Sequence, residues 1–113
     1  MTQYVPKPGD IVWTDFDPRL GREQGGKQPA LVLSPAAFFQ ASHFAIVCPI
    51  TSRVRPFRTS VVLPADVAIR GEVLTSHIRS IDTTARPIAF TGSRVPAATL
   101  AEARAKVAAL IGL

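Results

Sequence analysis

The sequence predicts a mainly β domain: a small, strongly bent β-barrel closed off by one C-terminal α-helix. Three observations predict it. Short β-branched and aromatic runs recur along the first ninety residues. Nine of the chain's ten prolines punctuate them, too many for long helices. After Pro96 the apolar residues change to a spacing of three and four, the period of a helix. The length of 113 residues fits a single domain spanning 1–113 and leaves no room for the two full cores of a two-domain protein.

The elements follow in order. Pro6-Lys7-Pro8-Gly9 breaks the chain, and Asp10 to Phe16 reads as the first strand. Asp17 to Gln28 is a polar loop with Gly21, Gly25 and Gly26, and Pro29 to Ser34 is an apolar run suited to a buried second strand. Pro35 opens a short helix over Ala36 to Ala41, ahead of a third strand from Phe44 to Ile50. A basic loop, Ser52 to Pro56, leads to a fourth strand at Thr59 to Leu63. Pro64 and Gly71 bracket a connection. Glu72 to Arg79 alternates as one strand, and Pro87 to Thr91 closes the sheet. Leu100, Ala103, Val107, Leu110 and Ile111 form the apolar stripe of the terminal helix. Its start is either a capping box at Thr99-x-x-Glu102 or Pro96 at the first helical position; Glu102 and Lys106 make an i,i+4 pair and Gly112 ends it.

Composition narrows the function. The chain carries 13 Lys+Arg against 8 Asp+Glu, a formal charge of +5, and most of the cations are arginine. Arginine's planar fork suits phosphate oxygens, so an anionic partner, nucleic acid first, is expected alongside the plainer alternative of a basic solvated surface. Cys48 stands alone and there are two histidines, which excludes a disulfide framework and leaves little for a zinc site. No apolar run is long enough to cross a bilayer, and Met1 to Pro6 lacks a signal peptide's pattern, so a cytoplasmic protein without metal or cofactor is expected.

Several segments then match one family in order and at its spacings: Gly9-Asp10-Ile11-Val12-Trp13, Asp17-Pro18, Gly21-Arg22-Glu23-Gln24-Gly25-Gly26 and Pro29-Ala30-Leu31-Val32-Leu33-Ser34-Pro35. Pro49-Ile50-Thr51-Ser52, Arg79-Ser80-Ile81-Asp82, Ala85-Arg86 and Leu110-Ile111-Gly112 continue the series. The chain resembles the MazF/PemK (Kid) family of bacterial toxins over almost its whole length. The resemblance implies an SH3-like barrel of the CcdB/PemK/MazF type with a short helix after strand 2, working as a homodimer. It implies a metal-independent, sequence-specific endoribonuclease that cuts single-stranded mRNA, halts translation, and is held inactive by a cognate MazE-like antitoxin. It also implies 2′-hydroxyl attack on the neighbouring phosphorus, giving a 2′,3′-cyclic phosphate and a 5′-OH.

Residue by residue, the resemblance places catalysis at Thr51, where the family has a threonine, and at Glu23, whose carboxylate suits a general base. The family's arginine before Pro-Ala is replaced here by Gln28, which can donate a hydrogen bond but carries no charge. Lys27 is beside it, although in an extended strand the two side chains would face opposite ways. The Kid branch's Arg and Asp fall on Leu74 and Ser76 and are absent. His77 next to them is either a structural residue or an imidazole taking over acid–base work. Arg53, Arg55 and Arg58 suit a phosphate-tracking rim, with Arg22, Arg79 and Arg86 as further RNA contacts. Phe57 and Tyr4 suit base stacking, while Trp13, Phe16, Phe38 and Phe44 are assigned to the core, Cys48 to a buried position and His43 to the surface. The alternative reading is a catalytically weakened or non-enzymatic protein of the same fold that binds RNA, antitoxin or, as CcdB does, DNA gyrase. The gyrase reading lacks the C-terminal Trp-Gly-Ile it needs, since the chain ends Leu110-Ile111-Gly112-Leu113.

Overall fold

The computed structural model describes residues 3–17 and 26–113. In chain order the elements are β1 (Asp10–Asp15), β2 (Lys27–Val32), α1 (Ala36–Ser42), β3 (Phe44–Thr51), β4 (Ser60–Val62) and β5 (Glu72–Leu74). A 3-10 turn (Thr75–His77), β6 (Arg79–Asp82), β7 (Ala89–Arg94) and α2 (Ala97–Leu110) complete it. The strands form one antiparallel sheet ordered β4-β5-β3-β2-β1-β7, with β6 also paired to β3. β4 and β7 stand at its two ends, so the sheet is mainly antiparallel and open, with two helices.

β3 is the organising strand because it holds β2 along one edge and both β5 and β6 along the other. Ile50 and Thr51 face Val73 and Glu72, while Phe44 to Val47 face Asp82 to Arg79. Between those ladders five residues, 74–78, stand opposite only Cys48 and Pro49. Pro49 has no N–H to give, so the facing chain leaves the ladder there as the 3-10 turn. The single alternating strand expected over Glu72 to Arg79 is therefore two strands and a turn.

The sheet buries both faces, and alternate residues sort between them. Ile11, Leu31, Cys48, Ile50 and Val73 join one core, closed by Leu100, Ala103 and Val107 of α2. Val12, Ala30, Val32, Ala45 and Val47 join a second with Phe16 and Ile81. This is why β2 and β3 read as continuous apolar runs rather than alternating ones.

Other boundaries differ from the sequence reading for local reasons. β2 starts at Lys27, so Lys27 and Gln28 belong to the strand and not to the preceding loop. In α2, Pro96 is the N-cap in an extended conformation, and its carbonyl accepts the N–H groups of Thr99 and Leu100. Thr99 lies inside the helix and makes no capping bond, so neither expected start holds. Glu102 and Lys106 do pair, at 3.3 Å. The apolar stripe fades at its end, where Leu110 and Ile111 are exposed. Trp13 and Phe44 are also exposed, each 37 %, which corrects their assignment to the core.

Candidate active site

The β2–β3 ladder runs from Val32–Val47 only to Ala30–Pro49. Pro29 lacks the N–H that would carry the ladder on to the Ile50 carbonyl, and a cleft opens beyond it. Its volume is about 550 Å³, and its polar lining is Lys27, Gln28, Thr51, Ser52 and Arg70, with Trp13 on one wall. The Gln28 side chain spans the gap, donating from Nε2 to the Ile50 carbonyl at 3.1 Å. One of its two amide hydrogens is thereby used, leaving one N–H and its oxygen for a ligand. Thr51 Oγ1 accepts from the Arg53 N–H at 3.2 Å, and its own hydrogen is not needed for that bond.

The floor of the cleft is held by the 64–71 connection. Gly71, at φ +144°, lies so close to β3 that a Cβ there would stand 2.3 Å from the Thr51 carbonyl oxygen. Gly71 in turn accepts the Leu63 N–H through its carbonyl, and Ile69 packs on the first core. The connection therefore brings Arg70 to the cleft from a segment remote in sequence from Lys27 and Gln28. No carboxylate lines the cleft among the described residues.

Beside it runs the exposed loop 52–59 carrying Arg53, Arg55, Phe57 and Arg58. A buried carboxylate fastens it: Glu72, 1 % exposed, accepts from the Arg55 N–H and from Ser60 Oγ, both at 3.1 Å. Lys106 of α2 donates to the Ser60 carbonyl at 2.7 Å, and Thr75 Oγ1 donates to the Thr59 carbonyl.

Of the residues assigned from sequence, the structure brings Lys27, Gln28 and Thr51 together, and the opposed facing expected for Lys27 and Gln28 does not keep either from the cleft. Arg22 and Glu23 lie outside the described residues. His77 sits half-buried on the 3-10 turn, which packs against α2, β3 and β4, and does not line the cleft. The guanidinium of Arg79 covers the Phe16 ring at 5.5 Å. Arg86 donates to the carbonyls of Asp15 and Asp17, at 2.8 and 2.5 Å, tying the end of β1 to the turn before β7. Tyr4 is stacked on Phe90 and donates to Asp10 at 2.6 Å, so its ring is already occupied. Phe57 is free, 64 % exposed. His43 is exposed in the left-handed cap of α1, and Cys48 is fully buried, its thiol pushed up to about 12 by desolvation.

Two lining residues escaped the sequence reading. Trp13 looked like core because it lies in a strand of apolar residues, yet its alternate position faces out. Arg70 had one signal available, the glycine after it, which marks close backbone approach.

The comparisons with known proteins point to one family. Residues 7–111 match the family model described as the PemK-like, MazF-like toxin of type II toxin–antitoxin systems. The endoribonuclease toxin MazF of Escherichia coli K12 is 35 % identical over 112 residues, covering 99 % of both chains. A crystal structure of MazF from Deinococcus radiodurans superposes with a TM-score of 0.92 at 43 % identity, covering 98 % of this chain and all of that one. A MazE–MazF structure from the same organism superposes at 0.84 with 40 % identity, covering 98 % of this chain and 99 % of that one. With matching strands, a matching family model and relatives aligned end to end, the chain belongs to the PemK-like, MazF-like toxin family of type II toxin–antitoxin systems.

Proposed function

We propose that this protein is a sequence-specific endoribonuclease toxin that cuts single-stranded mRNA at the cleft between β2 and β3. The observation that carries the reading is the convergence of Thr51, Gln28 and Lys27, from two strands, on one open and cationic cleft. RNA brings its own nucleophile, so the protein has to orient the 2′-hydroxyl, remove its proton, steady the phosphorane and protonate the departing 5′-oxygen. In this scheme Thr51 Oγ and the free Gln28 N–H hold non-bridging oxygens, and Glu23, from the segment before β2, is the base. His77 is a positioning group behind β3. Arg53, Arg55 and Arg58 track the flanking phosphates with Arg22, and Phe57 stacks a base. Arg79 and Arg86 act at the edge of that surface.

The curved, open sheet is read as an SH3-like barrel left unclosed between β4 and β7. The family and the MazE–MazF neighbours support an acidic antitoxin as partner for a chain of charge +5, and a homodimer as the working form. No helix among the described residues is long and apolar enough to cross a membrane, and a cytoplasmic site of action is proposed.

The test is incubation of antitoxin-free protein with varied single-stranded RNA in EDTA. Cleavage leaving 2′,3′-cyclic phosphate and 5′-OH ends is expected; intact RNA overturns the enzymatic reading. The second reading, an RNA- or antitoxin-binding protein with weak catalysis, rests on Gln28 spending an amide hydrogen on Ile50. Under that reading Gln28→Arg raises cleavage at least tenfold.

A further inference from the structure

We propose that Arg70, on the connection between β4 and β5, is a catalytic residue: the cation that grips the scissile phosphate. The inference deepens the proposed nuclease reading and rests on it. Among the described residues Lys27, Gln28, Thr51, Ser52 and Arg70 form the polar lining of the cleft, and of these only Lys27 and Arg70 carry charge. Gln28 is neutral and partly spent on the Ile50 carbonyl, while Thr51 and Ser52 offer hydroxyls. A phosphorane gains a second negative charge as it forms, and neutral donors alone meet that poorly.

Between the two cations, the backbone favours Arg70. Gly71 is pressed against the Thr51 carbonyl with no room for a Cβ, and Ile69 is half-buried against the first core. Arg70 is therefore held between two fixed points, next to the strand end that presents Thr51. Lys27, exposed as Arg70 is, takes the first position of β2, where the ladder ends opposite Asp15. A guanidinium also offers two parallel N–H groups to two phosphate oxygens, which an ammonium does not.

In the step itself a bond forms from the 2′-oxygen to phosphorus and the bond from phosphorus to the 5′-oxygen breaks. One proton leaves the 2′-oxygen to a base and one is delivered to the 5′-oxygen. Arg70 stays protonated throughout and donates to the non-bridging oxygens, more strongly as charge builds.

The experiment compares Arg70→Ala and Arg70→Lys with the parent protein on one oligonucleotide of mapped cut site. It measures single-turnover cleavage, and salt-dependent binding of the analogue carrying a 2′-deoxy sugar at the scissile position. Arg70 is exposed, so the fold is expected to survive, and the melting curve checks this. Arg104→Ala, on the separate groove between α2 and the connection from β2 to α1, serves as control. Arg70→Ala is expected to cut at least about 100-fold more slowly, as when one transition-state donor is lost, and Arg70→Lys to recover only part. The slope of log affinity against log salt is expected to fall by about 0.7, the value for one phosphate contact on a single strand. Cleavage within about threefold of the parent, the range of a non-participating surface residue, overturns the proposal and leaves the nuclease reading standing. If the parent cuts no RNA, the nuclease reading falls first. An unchanged salt slope then removes Arg70 as a phosphate ligand too.

Discussion

Asp10 shows how much one side chain can organise. Fully buried, it accepts from Tyr4 Oη at 2.6 Å, the Lys7 N–H at 3.1 Å and Arg94 Nε at 2.7 Å. The N-terminal segment is thereby clamped onto β1 and β7, with Tyr4 stacked on Phe90 and Arg94 over the same ring. Burial, then the bond to the Asp10 carboxylate, pushes the Tyr4 phenol well above its ordinary range. Desolvation does the same to Cys48, up to about 12. Both groups have raised folded-state values, so their contribution to stability is complete below the unfolded values, about 8.5 for Cys and 10 for Tyr. As pH climbs past those, the unfolded chain loses protons that the native one keeps, and stability falls. We expect the denaturation midpoint to decline from about pH 9 upward. Tyr4 is the only tyrosine, so phenolate absorbance reads it directly. Native protein at pH 11 should show almost none, unfolded protein nearly the full signal. A native titration near pH 10, the ordinary tyrosine value, contradicts the clamp.

Among the elements, β3 and the segments pressed on it decide the site. Gly71→Ala places a methyl group on the Thr51 carbonyl at a φ that side chains avoid. A loss of more than about 1 kcal/mol is expected from denaturant unfolding, with cleavage reduced because the end of β3 shifts. Unchanged stability would show that the close approach relaxes freely. Glu72 is the matching case for loop 52–59. Glu72→Leu strips the acceptor from the Arg55 N–H, an orphaned group costing about 1–3 kcal/mol, and leaves the Ser60 hydroxyl the Phe57 carbonyl alone. Trypsin should then cut after Arg53 and Arg58 faster than in the parent, and an unchanged rate would mean the loop holds itself. Sequence patterning located these elements well where they are long: β1, β3, α1 and the terminal helix sit close to their expected places. It failed at 72–82, because the break there comes from Pro49 on the facing strand, which no local pattern in 72–82 records.

For the molecule as a whole, a +5 charge and an exposed arginine loop beside a cleft that no carboxylate lines among the described residues fit an anionic, extended ligand. The motif series from Gly9 to Gly112 identified the family from sequence, and with it the expected reaction. The mainly β class and the terminal helix were likewise legible, and Thr51 and Gln28 were marked as candidates, because strand-forming runs, proline breaks and short motifs are properties of neighbouring residues. Tertiary structure alone decided which distant groups share the cleft. Arg70 and Trp13 reach it from segments more than fifty residues apart, Glu72 anchors a loop that precedes it by over a dozen, and His77 is carried onto a turn away from the cleft. Such meetings depend on where strands bulge, end and cross, and those events are set by contacts between residues that the chain order keeps apart.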